Sequence, residues 1–173
     1  MSKTLDFAKL TLQDALDIAI IIEDEARDRY QELAEQLEVH RSPEPAKFFK
    51  GMVINETKHG EQLRAHRQKA CGGAPSKVDR SVVPEVETAG YDEVRAAMTP
   101  HAAMRIALAS EIRARDFYAR ALGQVKDAKV KDLFTELLQE EKEHHAMVER
   151  ALGRLPPEDK TNPDDFGDEP TAQ

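Results

Sequence analysis

Two segments of this chain, 88 residues apart, are near copies: Glu23-Asp-Glu-Ala-Arg-Asp-Arg-Tyr30 and Glu111-Ile-Arg-Ala-Arg-Asp-Phe-Tyr118. A Glu-x-x-His follows each of them, Glu56-x-x-His59 after the first and Glu141-x-x-His144 after the second. All four pieces lie in stretches whose apolar residues recur in steps of three and four, the spacing of a helix with one buried face. The carboxylates and imidazoles fall on that face, where Leu or Ile belongs. Burying one such group alone costs several kcal/mol, so the groups must find one another across the core. That requirement admits few folds.

The stripes give the organisation. Thr11, with Asp14 three residues on, is the cap of a first helix running to about Val39. Its inward residues are Leu16, Ile20, Glu23, Ala26, Tyr30, Leu33 and Leu37, with Arg27 flanking. Ser42-Pro43 starts a second helix whose stripe reads Phe49, Met52, Glu56, His59, Leu63, His66 and Ala70, and Gly72-Gly73 ends it. From Ala74 to about Asp92 the period fails, and Pro75, Pro84 and Gly90 mark a long crossover, with a short helix possible at 91–98. Thr99-Pro100 opens a third helix, with Met104, Leu108, Glu111, Ala114, Tyr118 and Leu122 inward, which ends near Gly123. The fourth runs from about Asp127 to Leu152, with Val130, Phe134, Leu137, Glu141, His144, Val148 and Ala151 inward. The expected fold is all-α: a four-helix bundle of two helical hairpins joined by a long crossover, spanning residues 1–154. Residues 155–173 carry six acids, four prolines and one lysine, and are expected to form an acidic disordered tail.

Glu23 and Glu56 stand 33 residues apart, Glu111 and Glu141 only 30. For both pairs to lie level, the second turn is expected to be the tighter or more staggered one.

Bulk properties narrow the function. A net charge of −8 argues against nucleic acid, which calls for an excess of Lys and Arg. The longest apolar run, Ile18 to Ile22, is too short to span a bilayer, and the N-terminus lacks the apolar core of a signal peptide. A cytoplasmic location is therefore expected. The single cysteine, Cys71, excludes an intramolecular disulfide or a Cys₄ centre within this sequence. It reads as a free thiol at a helix end.

The spacing Glu-x-x-His sets both side chains on one helix face, about 60° apart and roughly 4.5 Å along the axis, so the two can chelate one ion. Four carboxylates and two neutral imidazoles (Glu23, Glu56, His59, Glu111, Glu141 and His144) match two divalent cations. Mixed oxygen and nitrogen donors suit Fe or Mn, and Zn binds such sets as well. Tyr30 and Tyr118 lie two turns beyond their Glu on the same face, as partners for ligand carboxylates or as ordinary core tyrosines. The plain alternative is a bundle whose Glu and His face solvent by coincidence. His66 reads as a rim histidine. Glu140, Glu143 and His145 are expected to face solvent, the two acids being set aside because neither has a His three residues on. Asp28 and Asp116, with Arg27 and Arg115, read as salt bridges at a helix interface.

The doubled pattern Glu-x-x-Ala-Arg-x-x-Tyr followed by Glu-x-x-His resembles the rubrerythrin branch of the ferritin-like di-iron proteins over residues 11–153. This is a match to a known constellation, with one Glu from each of two helices and a Glu-x-x-His from each of the others. The resemblance implies a ferritin-like bundle holding two irons that react with hydrogen peroxide or O₂, in a peroxidase or ferroxidase role in oxidative stress or iron handling. Two departures stand out. No Cys₄ rubredoxin-like domain is present, so electrons are expected from a separate donor protein or from Fe(II) itself. Full rubrerythrins resemble Glu-x-x-Glu in the third helix, where this chain has Ala114. Two other functions stay open: a non-catalytic iron or zinc sensor or buffer, and a di-iron hydroxylase of an organic substrate. A homodimer is expected, as bundles with residual apolar surface commonly pair.

Overall fold

The structure is a computed structural model and describes residues 5–78 and 99–158. A single 3₁₀ turn, Phe7–Lys9, precedes four long helices: α1 (Leu12–Val39), α2 (Pro43–Cys71), α3 (Pro100–Leu122) and α4 (Ala128–Gly153). No strand occurs among the described residues. The crossover beyond residue 78, the short helix considered at 91–98 and the tail beyond residue 158 lie outside them.

Local chemistry sets the helix starts. Thr11 Oγ1 accepts from the Asp14 backbone N–H at 3.2 Å, and Asp14 Oδ2 accepts from the Thr11 N–H at 3.1 Å, a reciprocal capping box. Thr99 accepts from the Ala102 N–H, and Asp127 from those of Lys129 and Val130. Ser42 makes no such bond; there Pro43 at the first helical position sets the start. Gly72 ends α2 at φ 61°, a left-handed conformation that favours glycine.

α1 packs along α2 and α3 along α4, and α1 also meets both helices of the second hairpin. The apolar interior falls into two clusters. One contains Leu16, Ile18, Ile22, Leu63, Phe117, Tyr118, Val130, Phe134 and Leu137. The other contains Tyr30, Leu33, Leu37, Phe49, Met52, Met104 and Val148. The stretch of each helix between the two clusters carries the buried polar residues of the described chain other than Asp17. Glu23 on α1, Glu56 on α2, Glu111 on α3, and Glu141 and His144 on α4 are at most 6% exposed, and they share one layer.

The levelling of that layer corrects the expectation for the second turn. The turn between α3 and α4 is the longer one, Gly123 to Asp127, against His40 to Ser42 between α1 and α2. Glu56 and Glu141 each lie 13 residues into their helix, but Glu23 is 16 residues from the end of α1 and Glu111 only 11 from the end of α3. A shorter α3, not a shorter turn, brings the four carboxylates level. The stripe on α2 also stops early: His66 and Ala70 are exposed. Here Arg67 closes the surface, donating to Asp17 on α1 and, at 2.7 Å, to the carbonyl of Ala74 at the start of the crossover. Asp17 is only 6% exposed, so this pairing supports a buried charge. At the far end Leu155 packs on the second cluster, and Arg105 holds Glu158 through two 3.0 Å contacts.

Candidate metal centre

The buried layer gathers all six residues singled out in the sequence. His144 Nδ1 lies 3.2 Å from Glu56 Oε1 and 3.8 Å from Glu111 Oε2. His59 Nδ1 lies 3.8 Å from Glu23 Oε2 and 4.0 Å from Glu56 Oε2. The two imidazole rings stack almost parallel, centroids 5.2 Å apart and planes 9° from parallel. Three groups of donor atoms, each within 4.8 Å of one another, could hold a metal ion: Glu56–His59–His144, Glu111–Glu141–His144 and Glu23–His59–Glu140.

Electrostatics sharpen what this layer is suited to. Burial pushes Glu23 above the usual carboxylate range, and burial with the charges of its neighbours pushes Glu141 well above it. Glu111 rises to about 8, chiefly through burial and then through Glu23, while its hydrogen bond with Glu141 acts the other way. Burial and the nearby His59 hold His144 down to about 4. Neutral imidazole is the form that binds metal, and crowded carboxylates are stabilised by a multivalent cation. Two buried atoms, Glu23 Oε2 and His59 Nδ1, have no hydrogen-bond partner among the described residues. Buried polar atoms are nearly always satisfied, so these two mark where a ligand is missing from the protein's own inventory. The donor set therefore fits two divalent ions.

The tyrosines behave differently from each other. Tyr30 reaches across the hairpins and donates its hydroxyl to Glu111 Oε1. Tyr118 is fully buried against Phe117 and Phe134, and its hydroxyl has no hydrogen-bond partner among the described residues. Burial, reinforced by Glu141 and Glu23, holds its phenol well above the ordinary range.

One residue departs from its expected place. Glu140 is partly buried, not solvent-facing, and its carboxylate meets Glu23 and His59. Burial raises its pKa, against the lowering effect of His59. A rule based on helical period alone passes it over, because the partners it needs are on α1 and α2. Glu143 is exposed and His145 partly buried. Arg27 pairs with Asp28 at 2.7 Å and Arg115 with Asp116 at 2.9 Å, each along its own helix and not across an interface.

The centre has two faces. Between α1 and α3, a cavity of about 20 Å³ touches Glu23, Ala26, Tyr30, Glu111, Ala114 and His144. Arg29 donates to Ser110 beside it. Between α2 and α4, a groove of about 480 Å³ opens onto His59, with Asn55, Glu140, Glu143 and Arg150 along it.

The rubrerythrin family profile matches residues 14–152, four-fifths of the chain and all four helices. The chain belongs to the rubrerythrin family. A solved structure agrees with the fold: an uncharacterized conserved protein from Magnetospirillum magnetotacticum MS-1 superposes with a TM-score of 0.73 at 29% identity. The match covers 85% of this chain and 97% of that one. No curated protein matches the chain. A rubrerythrin-family domain implies a di-iron site, and in this member the Glu and His clusters able to hold ions lie in the buried layer. Among the described residues, no helix is long and apolar enough to cross a membrane.

Proposed function

We propose that this rubrerythrin-family protein is a di-iron oxidoreductase that consumes hydrogen peroxide or O₂. The observation that carries the reading is the convergence of six donor residues from four helices in one layer, with Glu23 Oε2 and His59 Nδ1 left without hydrogen-bond partners among the described residues. Glu23, Glu56, His59, Glu111, Glu141 and His144 would hold the two ions. Glu56 lies within 4.0 Å of both imidazoles and would contribute its carboxylate beside each of them. When bound, an iron pair supplies the two electrons that, with two protons, convert H₂O₂ to two waters.

The chain's own residues supply the setting. Tyr30 fixes Glu111 through its O–H, holding that carboxylate in place from the apolar cluster behind it. The two apolar clusters keep bulk water from either end of the layer. Ala26 and Ala114 border the cavity of about 20 Å³, which has room for one molecule the size of water or a diatomic. That size supports a small oxidant over an organic substrate, and so disfavours a hydroxylase. In this reading electrons come from Fe(II) itself or from a separate donor protein.

Ala114 favours one second reading, a metal sensor or buffer without turnover, because a further carboxylate stands there in full rubrerythrins. Anaerobic loading with Fe(II), then addition of H₂O₂ or O₂ under optical monitoring, separates the two. Binding of two irons followed by rapid oxidation is the expected result; tight binding with no oxidation by either oxidant selects the buffer.

A further inference from the structure

We propose that Glu140 is a seventh protein ligand, which takes a cation from the groove between α2 and α4 and completes the shell of the ion held by Glu23 and His59. The proposal rests on the two-ion centre described above.

Neighbouring residues on a helix point about 100° apart. With Glu141 directed into the buried layer, Glu140 turns toward α2, where His59 lies. Its carboxylate is within 4.8 Å of the donor atoms of both Glu23 and His59. On the same two residues, Glu23 Oε2 and His59 Nδ1 are buried atoms without hydrogen-bond partners among the described residues, and Glu23 is 97% buried. The three donors thus face a common point. The other end of the centre has its own triad, Glu111, Glu141 and His144, with Glu56 between the two. Without Glu140, the His59 end would have Glu23 and a share of Glu56 only.

Position gives Glu140 its second role. His59 is the most exposed of the two imidazoles, at 18% of its side chain against 6% for His144. The groove that reaches it carries Glu140 and Glu143 together with Lys142 and Arg150. Glu140 is the partly buried one of the two acids, so its carboxylate can replace one water of an incoming hydrated cation while the buried donors replace others. With Ala114 in the third helix, Glu140 also restores a fifth carboxylate to the centre, from the fourth helix and the opposite face.

Co(II) titration of the full chain, followed by calorimetry and visible absorption, tests this without any turnover. The wild type is expected to take up two ions. Glu140→Gln should keep one affinity and weaken the other by at least about tenfold, with altered absorption of that ion alone. Glu140→Asp, which keeps the charge but withdraws it by one methylene, should weaken the same ion. Glu143→Gln removes an equal charge from the same groove and should leave both affinities within about twofold. Equal weakening by Glu140→Gln and Glu143→Gln, or no change in Glu140→Gln, would overturn the ligand assignment while leaving the centre intact. A wild-type chain that takes up fewer than two Co(II) ions would sink the centre itself.

Discussion

Hairpin one, α1 with α2, presents its imidazole near the surface; hairpin two, α3 with α4, buries the matching one. The hydroxyls differ in the opposite sense. Tyr30 of hairpin one donates to a carboxylate of hairpin two, whereas the hydroxyl of Tyr118 has no hydrogen-bond partner among the described residues. Hairpin one is laced by Arg64 to Asp24 at 2.6 Å and by Arg67 to Asp17. Its turn is short, and Arg41 there takes a left-handed φ of 56°; the longer turn of hairpin two has Gly123 at an ordinary helical φ. Near-identical words in the sequence have become unequal halves of one centre. A duplicated pattern fixes which donor types arrive, and the packing around each copy fixes how wet and how well held they are.

The sharpest way to break the comparison is at the residue both halves share. Glu56→Ala should abolish binding of at least one ion and weaken the other, measured as metal content after dialysis; retention of two ions would refute the assignment of Glu56. In hairpin one, Arg67→Met removes the partner of the buried Asp17 and should lower the melting temperature by several degrees. The corresponding loss from Arg115→Met, whose partner Asp116 is exposed, should be barely measurable.

Acidity gives a third test. The folded pKa of Glu111, about 8, lies above its unfolded value near 4.5, as do those of Glu23 and Glu141 in direction. Their contribution to stability is full below the unfolded pKa and is lost as pH rises through the folded one. His144 works oppositely: its folded pKa of about 4 is below the usual 6.5, so its contribution is complete above pH 6.5 and lost as pH falls toward 4. Between pH 6.5 and 8 only the carboxylate effect changes. Protein stripped with chelator should therefore melt at lower temperature at pH 8 than at 6.5, while the increment from added divalent metal should grow over the same window. A flat or rising profile for the stripped protein would show that the carboxylates are not mutually destabilised.

Smaller effects separate the tyrosines and the turns. Tyr30→Phe should cost about 1–2 kcal/mol by denaturant titration, because it removes a donor from buried Glu111, and Tyr118→Phe should be close to neutral. Equal costs would mean that Tyr118 has a partner in solution. Arg41→Gly should be neutral or stabilise by up to about 1 kcal/mol, the left-handed strain being offset by unfolded-chain entropy.

Much of this was legible in one dimension. The starts of α1, α3 and α4 follow from Thr11 with Asp14, from Thr99 and from Asp127, since a cap is a contact within four residues. The six donors on the inward stripes were legible for the same reason: period 3.6 reports the face a residue occupies. Where the reading failed, a second helix was involved. The stripe on α2 was extended to His66 and Ala70, but Arg67 reaches across to Asp17 and leaves that end open to solvent. The level of the carboxylates was assigned to a tighter or more staggered second turn, while that turn is the longer one and α3 is the shorter helix. Glu140 was set aside for want of a histidine three residues further on.

The sequence by itself determined the helices, the two hairpins and the chemical inventory of the centre, because each depends on spacing along one chain segment. Tertiary structure decided the rest. It set which carboxylate Tyr30 holds, which imidazole faces the groove, and that Glu140 meets Glu23 and His59. Those contacts depend on the register and angle between helices, quantities that no single helix's period contains.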